Sequence, residues 1–417
     1  MPKFLWTQKQ DMGPAARTGH SMVFDAGREQ VILFGGASAT KLFTDTWEWD
    51  GNFWTQMADM GVGPRKDFGM AYDPVKQQTI LFGGTTTGIN KFGDTWAWNG
   101  SDWTQLSNSG PAARRGHSLV YNSSSQKIFL FGGQGDPDVL NDSWEFDGAE
   151  WTQVEDTGPA AREFHLMAYD TLRKRVVLFG GTDGVKAFGD TWEWDGKLWT
   201  QVGEFGPDPL LGGAMTFTNS HALLFGGIDS NDPVAQEHRL FNNSWEWDGK
   251  HWTQRQDIGP GSRYGHAMAF DTKRSTVVLF GGQSAFANDP ADIKALPDTW
   301  EHLDETPPPA PDQLTIISLS LNPQPVTADQ VAAVVVTAVI SGPAPAGGLT
   351  LPLGFAPPGG GDSPDLSQLK ILANKITIAA GETSGSSPIG ANTITVSAFI
   401  VSVIEPNAVS FAFLTVS

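Results

Sequence analysis

Short apolar runs that end in Leu-Phe recur along the first three quarters of the chain, each followed by two glycines. The motif LFGG appears six times, with Phe34, Phe82, Phe131, Phe179, Phe225 and Phe280 spaced 48, 49, 48, 46 and 55 residues apart. Around each run the same segments return in the same order. In the first copy, between Gly13 and Gln56, they are GPAARTGHSMVFD, VILFGG, DTWEWDG and WTQ. Every segment is short, rich in β-branched or aromatic residues, and bounded by Gly, Pro, Asn or Asp, the pattern of strands and their turns. Four strands per repeat follow, here called a to d. A unit of about fifty residues with one small sheet cannot bury both of its faces, so it must stack against copies of itself.

Asp50-Gly51, Asn99-Gly100, Asp147-Gly148, Asp195-Gly196 and Asp248-Gly249 each separate the Trp-rich strand c from the strand that carries Trp-Thr-Gln. Such dipeptides supply the positive φ of a hairpin turn, so strands c and d are expected to be antiparallel neighbours. The sixth unit ends at Leu303-Asp304-Glu305 with no glycine and no following WTQ, whereas Trp6-Thr7-Gln8 precedes the first unit with no strand c before it. The N-terminal strand is therefore predicted to complete the last blade of a six-bladed ring, which removes the exposed sheet edges.

The double glycine after an apolar strand, followed at near-fixed distance by Trp, resembles the kelch repeat, over roughly residues 4–304. The resemblance implies an all-β fold, a six-bladed kelch β-propeller over residues 1–304. It does not choose a function, since kelch propellers include both enzymes and binding scaffolds.

Past the propeller, residues 305–312 form a proline-rich linker, expected to be stiff and extended. In residues 313–417 the tryptophans stop, and Lys370 and Lys375 are the only basic residues. Apolar or alternating segments at 314–321, 331–341, 375–379, 393–400 and 409–416 lie between Gly, Pro and Ser turns, as in a β-sandwich. The strings SGPAPAGGLTLPL, KITIAAGETSGSSPI and NTITVSAF are similar to those of immunoglobulin-like domains of bacterial surface and secreted proteins. Another β-sandwich remains the alternative.

Charge and cysteine usage narrow the chemistry. With 46 acidic against 27 basic residues the formal net charge is -19, which disfavours nucleic acid and anionic membranes as partners. No apolar run approaches the roughly 20 residues that span a bilayer as a helix. There is no cysteine, so disulfides, zinc-thiolate sites, thiol nucleophiles and any cofactor made by linking Cys to Tyr are excluded, and with the last the copper-radical chemistry of some kelch enzymes. Met1-Pro2-Lys3 leads directly into the closing strand with no apolar stretch that reads as a signal peptide. The immunoglobulin-like tail nevertheless favours an extracellular or cell-surface location.

In a propeller the b–c and d–a loops open on one face, opposite the Asp-Gly hairpins and the short a–b turns. Long loops make the first face the expected ligand face. There Arg17, Arg65, Arg114, Arg162 and Arg263 share one repeat position, and Asp45, Asp94, Asp142, Asp190 and Asp298 another. A ring of guanidiniums suits an anion. Internal ion pairs are the other reading, and the fifth repeat supports it by losing both partners, to Leu210 and Asn243. His20, His117, His165 and His266 also recur at one position, where Phe68 and Gly213 stand in the second and fifth repeats. Packing is expected there rather than metal ligation. The strand-c tryptophans, from Trp47 and Trp49 to Trp300, are expected to pack between blades rather than to stack on sugars.

What departs from the repeat carries the functional expectation. Between the double glycine and strand c, blades one to four have eight or nine residues, whereas 228–242 and 283–297 have fifteen each. The candidate ligand-binding residues are those of these two loops: Asp229, Asp232, Glu237, His238, Arg239, Phe286, Asn288, Asp289, Asp292 and Lys294. Their aspartates suggest calcium only weakly, lacking the spacing of a calcium loop, and no other cofactor or metal is indicated. No zincin, nucleophile-elbow, P-loop or dinucleotide motif is present. The expected function is therefore a non-catalytic surface binding or adhesion protein that presents loops to a glycan or protein. Two alternatives stand beside it: a kelch enzyme resembling sugar mutarotases or lyases, and a component of a phage-like or surface assembly.

Overall fold

The computed structural model describes residues 6–9, 13–58, 61–155, 157–203, 206–229, 239–255, 259–284 and 294–304 and, beyond these, the strands of the C-terminal part. The chain divides into two compact units, Met1–Pro308 and Pro309–Ser417.

The first unit is a six-bladed β-propeller, and no helix occurs among the described residues. Blade 1 consists of Ser21–Asp25, Gln30–Phe34, Thr46–Trp49 and Trp54–Ala58, antiparallel throughout. Blades 2 to 5 repeat this order over 69–107, 118–155, 166–203 and 214–255. Blade 6 has Ala267–Asp271, Thr276–Phe280 and Thr299–Leu303, and its outer strand is Trp6–Gln8, with Trp6 opposite His302 and Gln8 opposite Trp300. Closure by the N-terminal strand is as the repeat count predicts.

The hairpins between c and d are longer than a two-residue turn. Trp49 faces Trp54, leaving 50–53 as the loop. Only the glycine takes positive φ, 100° at Gly51, while Asp50 Oδ1 accepts the backbone N–H groups of Asn52 and Phe53 at 2.7 and 2.8 Å. The aspartate thus works through its side chain, as an Asx turn does.

The core lies between blades. Val31, Leu33, Trp49 and Trp54 of blade 1 pack on Ala267, Ala269, Val278 and Phe280 of blade 6, and equivalent sets fill the other gaps. Trp49, Trp98, Trp194 and Trp247 are fully buried, so the tryptophan ladder is packing, as expected. The double glycine is where consecutive blades touch backbone to backbone. Gly36 N–H donates to the carbonyl of Arg65 in the next blade at 2.9 Å, and Gly84, Gly133, Gly181, Gly227 and Gly282 repeat the bond around the ring. A Cβ on Gly35, at φ 64°, would lie 2.9 Å from that same carbonyl, so only glycine fits.

In the second unit, Ile316–Asn322, Ala332–Ile340, Ser384–Ala391 and Leu369–Lys370 pair in one four-stranded set. Lys375–Ile378, Leu349–Ala356, Phe399–Glu405 and Ala408–Leu414 pair in another. Leu349–Ala356 and Ser384–Ala391 are additions to the strands expected from sequence; their internal Pro352 and Pro388 disguise them. The strand expected at 393–400 is described only from Phe399 and runs on to Glu405.

Candidate functional site at the channel mouth

The repeated arginines and aspartates are ion pairs. Arg17 Nη1 and Nη2 reach Asp45 Oδ1 and Oδ2 at 2.6 and 2.8 Å. The other four pairs, Arg65–Asp94, Arg114–Asp142, Arg162–Asp190 and Arg263–Asp298, are bidentate at 2.7 to 3.0 Å. The guanidiniums are buried and also donate to backbone, Arg17 to the carbonyls of Ala15 and Gly35 at 2.9 Å each. Burial pushes the Asp45 carboxyl up, but the bonds and charge of Arg17 and the indole N–H of Trp47 outweigh it and hold the group below the ordinary carboxylate range. These arginines hold loops in place and are not an anion site.

The histidines are equally structural. His117 Nε2 lies 3.1 Å from the carbonyl of Phe82 in the preceding blade, and its ring meets Phe82 edge-on. His20, His165 and His266 pack likewise on Phe280, Phe131 and Phe225. Among the described residues no three His, Asp or Glu side chains converge as metal ligands do.

One residue beyond each repeated Arg, and beyond Leu210 in blade 5, the side chains differ: Thr18, Lys66, Arg115, Glu163, Leu211 and Tyr264. Their backbones do not. Each forms a bridge to the residue after the double glycine of its own blade, from Thr18 with Ala37 to Tyr264 with Gln283. The following residues, Gly19, Asp67, Gly116, Phe164, Gly212 and Gly265, all have positive φ and form a closed ring of six hydrogen bonds. Asp67 N–H donates to Gly19 O, Gly116 to Asp67, Phe164 to Gly116, Gly212 to Phe164, Gly265 to Gly212 and Gly19 to Gly265, at 2.6 to 3.0 Å. Six variable side chains are thus mounted on one rigid backbone collar.

The collar encloses a cavity of about 440 Å³ whose lining includes Lys66, Asp67, Arg115, Phe164, Tyr264 and Gln283. Its charged lining residues, Lys66, Asp67 and Arg115, lie in blades 2 and 3. Glu163 is buried beside the collar, 3.2 Å from Arg115 Nη2. Burial pushes its carboxyl up to about 7; Arg115 and Lys91 pull it down and Asp67 pushes it up. Across the mouth, Gln283 Nε2 donates to Tyr264 Oη, whose phenol burial drives up to about 12. Sequence reading passed over this set, because the position after the arginine shares no residue type across the blades.

Of the ten loop residues expected to bind ligand, Asp229, Arg239 and Lys294 are described, at the bases of their loops. Asp229 Oδ1 accepts the backbone N–H of Arg239 at 3.0 Å, and Arg239 pairs with Asp208 at 2.8 Å. Lys294 O accepts from Ser284 N–H at 3.3 Å. Asp232, Glu237, His238, Phe286, Asn288, Asp289 and Asp292 lie outside the described residues. Ile228 and Gln283, the first residues of the two loops, nevertheless line the cavity.

The KLHDC2/KLHL20/DRC7 Kelch-repeats domain matches residues 99–210 of this chain. The repeats are kelch repeats. The solved structure titled "Structure of YjhT" is similar to 69% of this chain and 95% of its own, with a TM-score of 0.56 and 16% sequence identity, a likeness of fold. No curated protein matches the chain. Kelch propellers are generally protein-interaction domains, and the collar of this kelch propeller carries the side chains that distinguish one blade from another.

Proposed function

We propose that this chain is a binding protein whose kelch propeller engages a protein or glycan with the b–c and d–a loop face, a polar group of the partner entering the collar beside Arg115, Glu163 and Tyr264. The observation that carries this reading is the contrast between an invariant backbone collar and six different side chains on it. A scaffold that keeps one backbone arrangement and varies the side chains at an opening is organised to present that opening. Ile228 and Gln283, the first residues of the two fifteen-residue loops, line the same opening. Residues 305–312 then act as a stiff linker and 313–417 as an immunoglobulin-like spacer, in an extracellular or cell-surface adhesion protein.

The test uses the intact chain on glycan arrays and against isolated surface proteins. Shortening 228–242 and 283–297 to the eight-residue form should leave the ring folded and abolish binding; Arg115→Ala should weaken it. Full affinity in both variants would overturn the reading.

A second reading is catalytic and rests on Glu163. A carboxyl held near neutrality beside a cavity can give and take a proton at working pH, the requirement of the mutarotase-like and lyase-like alternative. Sugar anomerisation or elimination that disappears in Glu163→Gln would support it; turnover unchanged in that variant would exclude Glu163 as its acid or base.

A further inference from the structure

The opposite mouth of the channel, on the a–b turn side, has a different chemistry. A cavity of about 340 Å³ opens there, and one aromatic ring from each blade lines it: Phe24, Tyr72, Tyr121, Tyr169, Phe217 and Phe270. All occupy the same place in strand a. Within that uniform ring the polarity is divided, because blades 2, 3 and 4 carry tyrosine and blades 5, 6 and 1 carry phenylalanine. Phe24, Tyr72, Tyr121 and Phe217 are half-buried, so their rings are shared between the blade core and the opening.

None of the described residues lining this cavity is charged, in a chain of net charge -19. The aspartates that follow the aromatic residues are turned back into their own loops. Asp25 Oδ1 accepts the N–H groups of Gly27 and Arg28, and its other oxygen pairs with Arg28 at 2.5 Å. Asp170 and Asp271 pair with Arg173 and Arg274 at 2.7 Å. Asp73 Oδ1 likewise accepts the N–H groups of Val75 and Lys76 at 2.9 and 3.1 Å, so each of these aspartates is bound within its own turn.

The hydroxyls are not equivalent either. Tyr72 Oη accepts the N–H of Gly27 at 3.1 Å, and Tyr169 Oη meets Ser124 Oγ at 2.9 Å. At the place equivalent to Gly27, blade 2 has Val75, whose N–H donates to Asp73 Oδ1 at 2.9 Å. Among the described residues the Tyr121 hydroxyl makes no hydrogen bond, and it is left for the opening. Thr171, Thr216 and Thr272 add further hydroxyls at the rim.

We infer that this mouth is a second binding site, distinct from the charged collar, for a neutral pyranose. An uncharged opening with aromatic rings on all sides, phenylalanine on one arc and hydroxyls on the other, matches a molecule with an apolar ring face and an equatorial belt of hydroxyls. A charged ligand would lose its hydration there with nothing to replace it.

The experiment is saturation-transfer NMR and calorimetry on the intact chain with methyl glucoside, methyl galactoside and glucuronate. A neutral glycoside is expected to bind at millimolar concentration and glucuronate not to. Tyr121→Phe, a residue three other blades already carry at this place, should weaken binding about fivefold, as loss of one hydrogen bond does. Thr216→Lys should abolish it, with thermal unfolding confirming that both variants fold. The inference is overturned if neither glycoside binds, if both variants bind as the parent does, or if Glu163→Gln removes the binding and so places the sugar in the collar.

Discussion

The indole N–H of Trp6 donates to the hydroxyl of Ser244 at 3.3 Å, joining the N-terminal strand to blade 5. Trp54, Trp103, Trp151, Trp199 and Trp252 make the same bond to Thr299, Thr46, Thr95, Ser143 and Thr191 of their preceding blades, at 2.8 to 3.0 Å. Trp6 also lies on Phe225 and against His302. Three residues of strand therefore repeat a full inter-blade contact. Trp6→Ala should cost about 3 to 5 kcal/mol, as loss of a buried Trp does, and deletion of residues 1–10 should lower the unfolding temperature steeply. Unchanged melting of either variant would show that the ring closes without this strand.

A similar test applies to Arg114 and Asp142. Removing the arginine alone, Arg114→Leu, leaves a half-buried carboxylate without its cation and should cost about 3 to 5 kcal/mol. Blade 5 manages with Leu210 and Asn243 at the same places. Adding Asp142→Asn should therefore recover much of the loss, and the double-mutant cycle measures the coupling by chemical denaturation. A double variant no more stable than Arg114→Leu would mean that the arginine matters chiefly through its bonds to backbone.

Much of this was legible in the sequence because the repeat is its own alignment. Matched loss at Leu210 and Asn243 identified the ion pairs, and the missing strand of blade 6 identified its substitute at Trp6. The collar was not legible, because Thr18 to Tyr264 share no residue type and only their backbone bridges group them. Asp67 and Phe164 hide it further, holding φ of 58° and 55° where the other four collar positions have glycine. The opposite mouth was missed for the converse reason: Phe and Tyr at one position look like uniform packing until their order around the ring is known.

The buried imidazoles make a prediction about acid. Burial, with the charge of Arg114, pulls His117 down to about 3, against the opposing effect of the Phe82 carbonyl. His20 behaves the same way, and His165 and His266 are also held well below their ordinary value. A depressed folded-state value means that this stability is present above the unfolded value of 6.5 and is lost as pH falls toward about 3. His117→Phe copies blade 2, where Phe68 packs on Phe34, and should make the fall in unfolding temperature with acid gentler. An unchanged slope would show that His117 does not drive the acid sensitivity.

Glu163 carries the opposite sign. Its folded-state value, raised from 4.5 to about 7 chiefly by burial, means that its contribution to stability is full below 4.5 and is lost as pH rises through about 7. The histidines gain stability as pH rises from about 3 to 6.5, across most of that range, so the two effects oppose each other in the parent protein and only a difference isolates one. Glu163→Gln keeps the shape and removes the titration. The unfolding temperature of the variant relative to the parent should therefore climb between pH 4.5 and 7. Carboxyl-carbon NMR should place the Glu163 midpoint near neutrality, above every surface glutamate. A midpoint in the ordinary carboxylate range would mean that Arg115 and water compensate for burial, and would remove Glu163 as a proton donor at the collar.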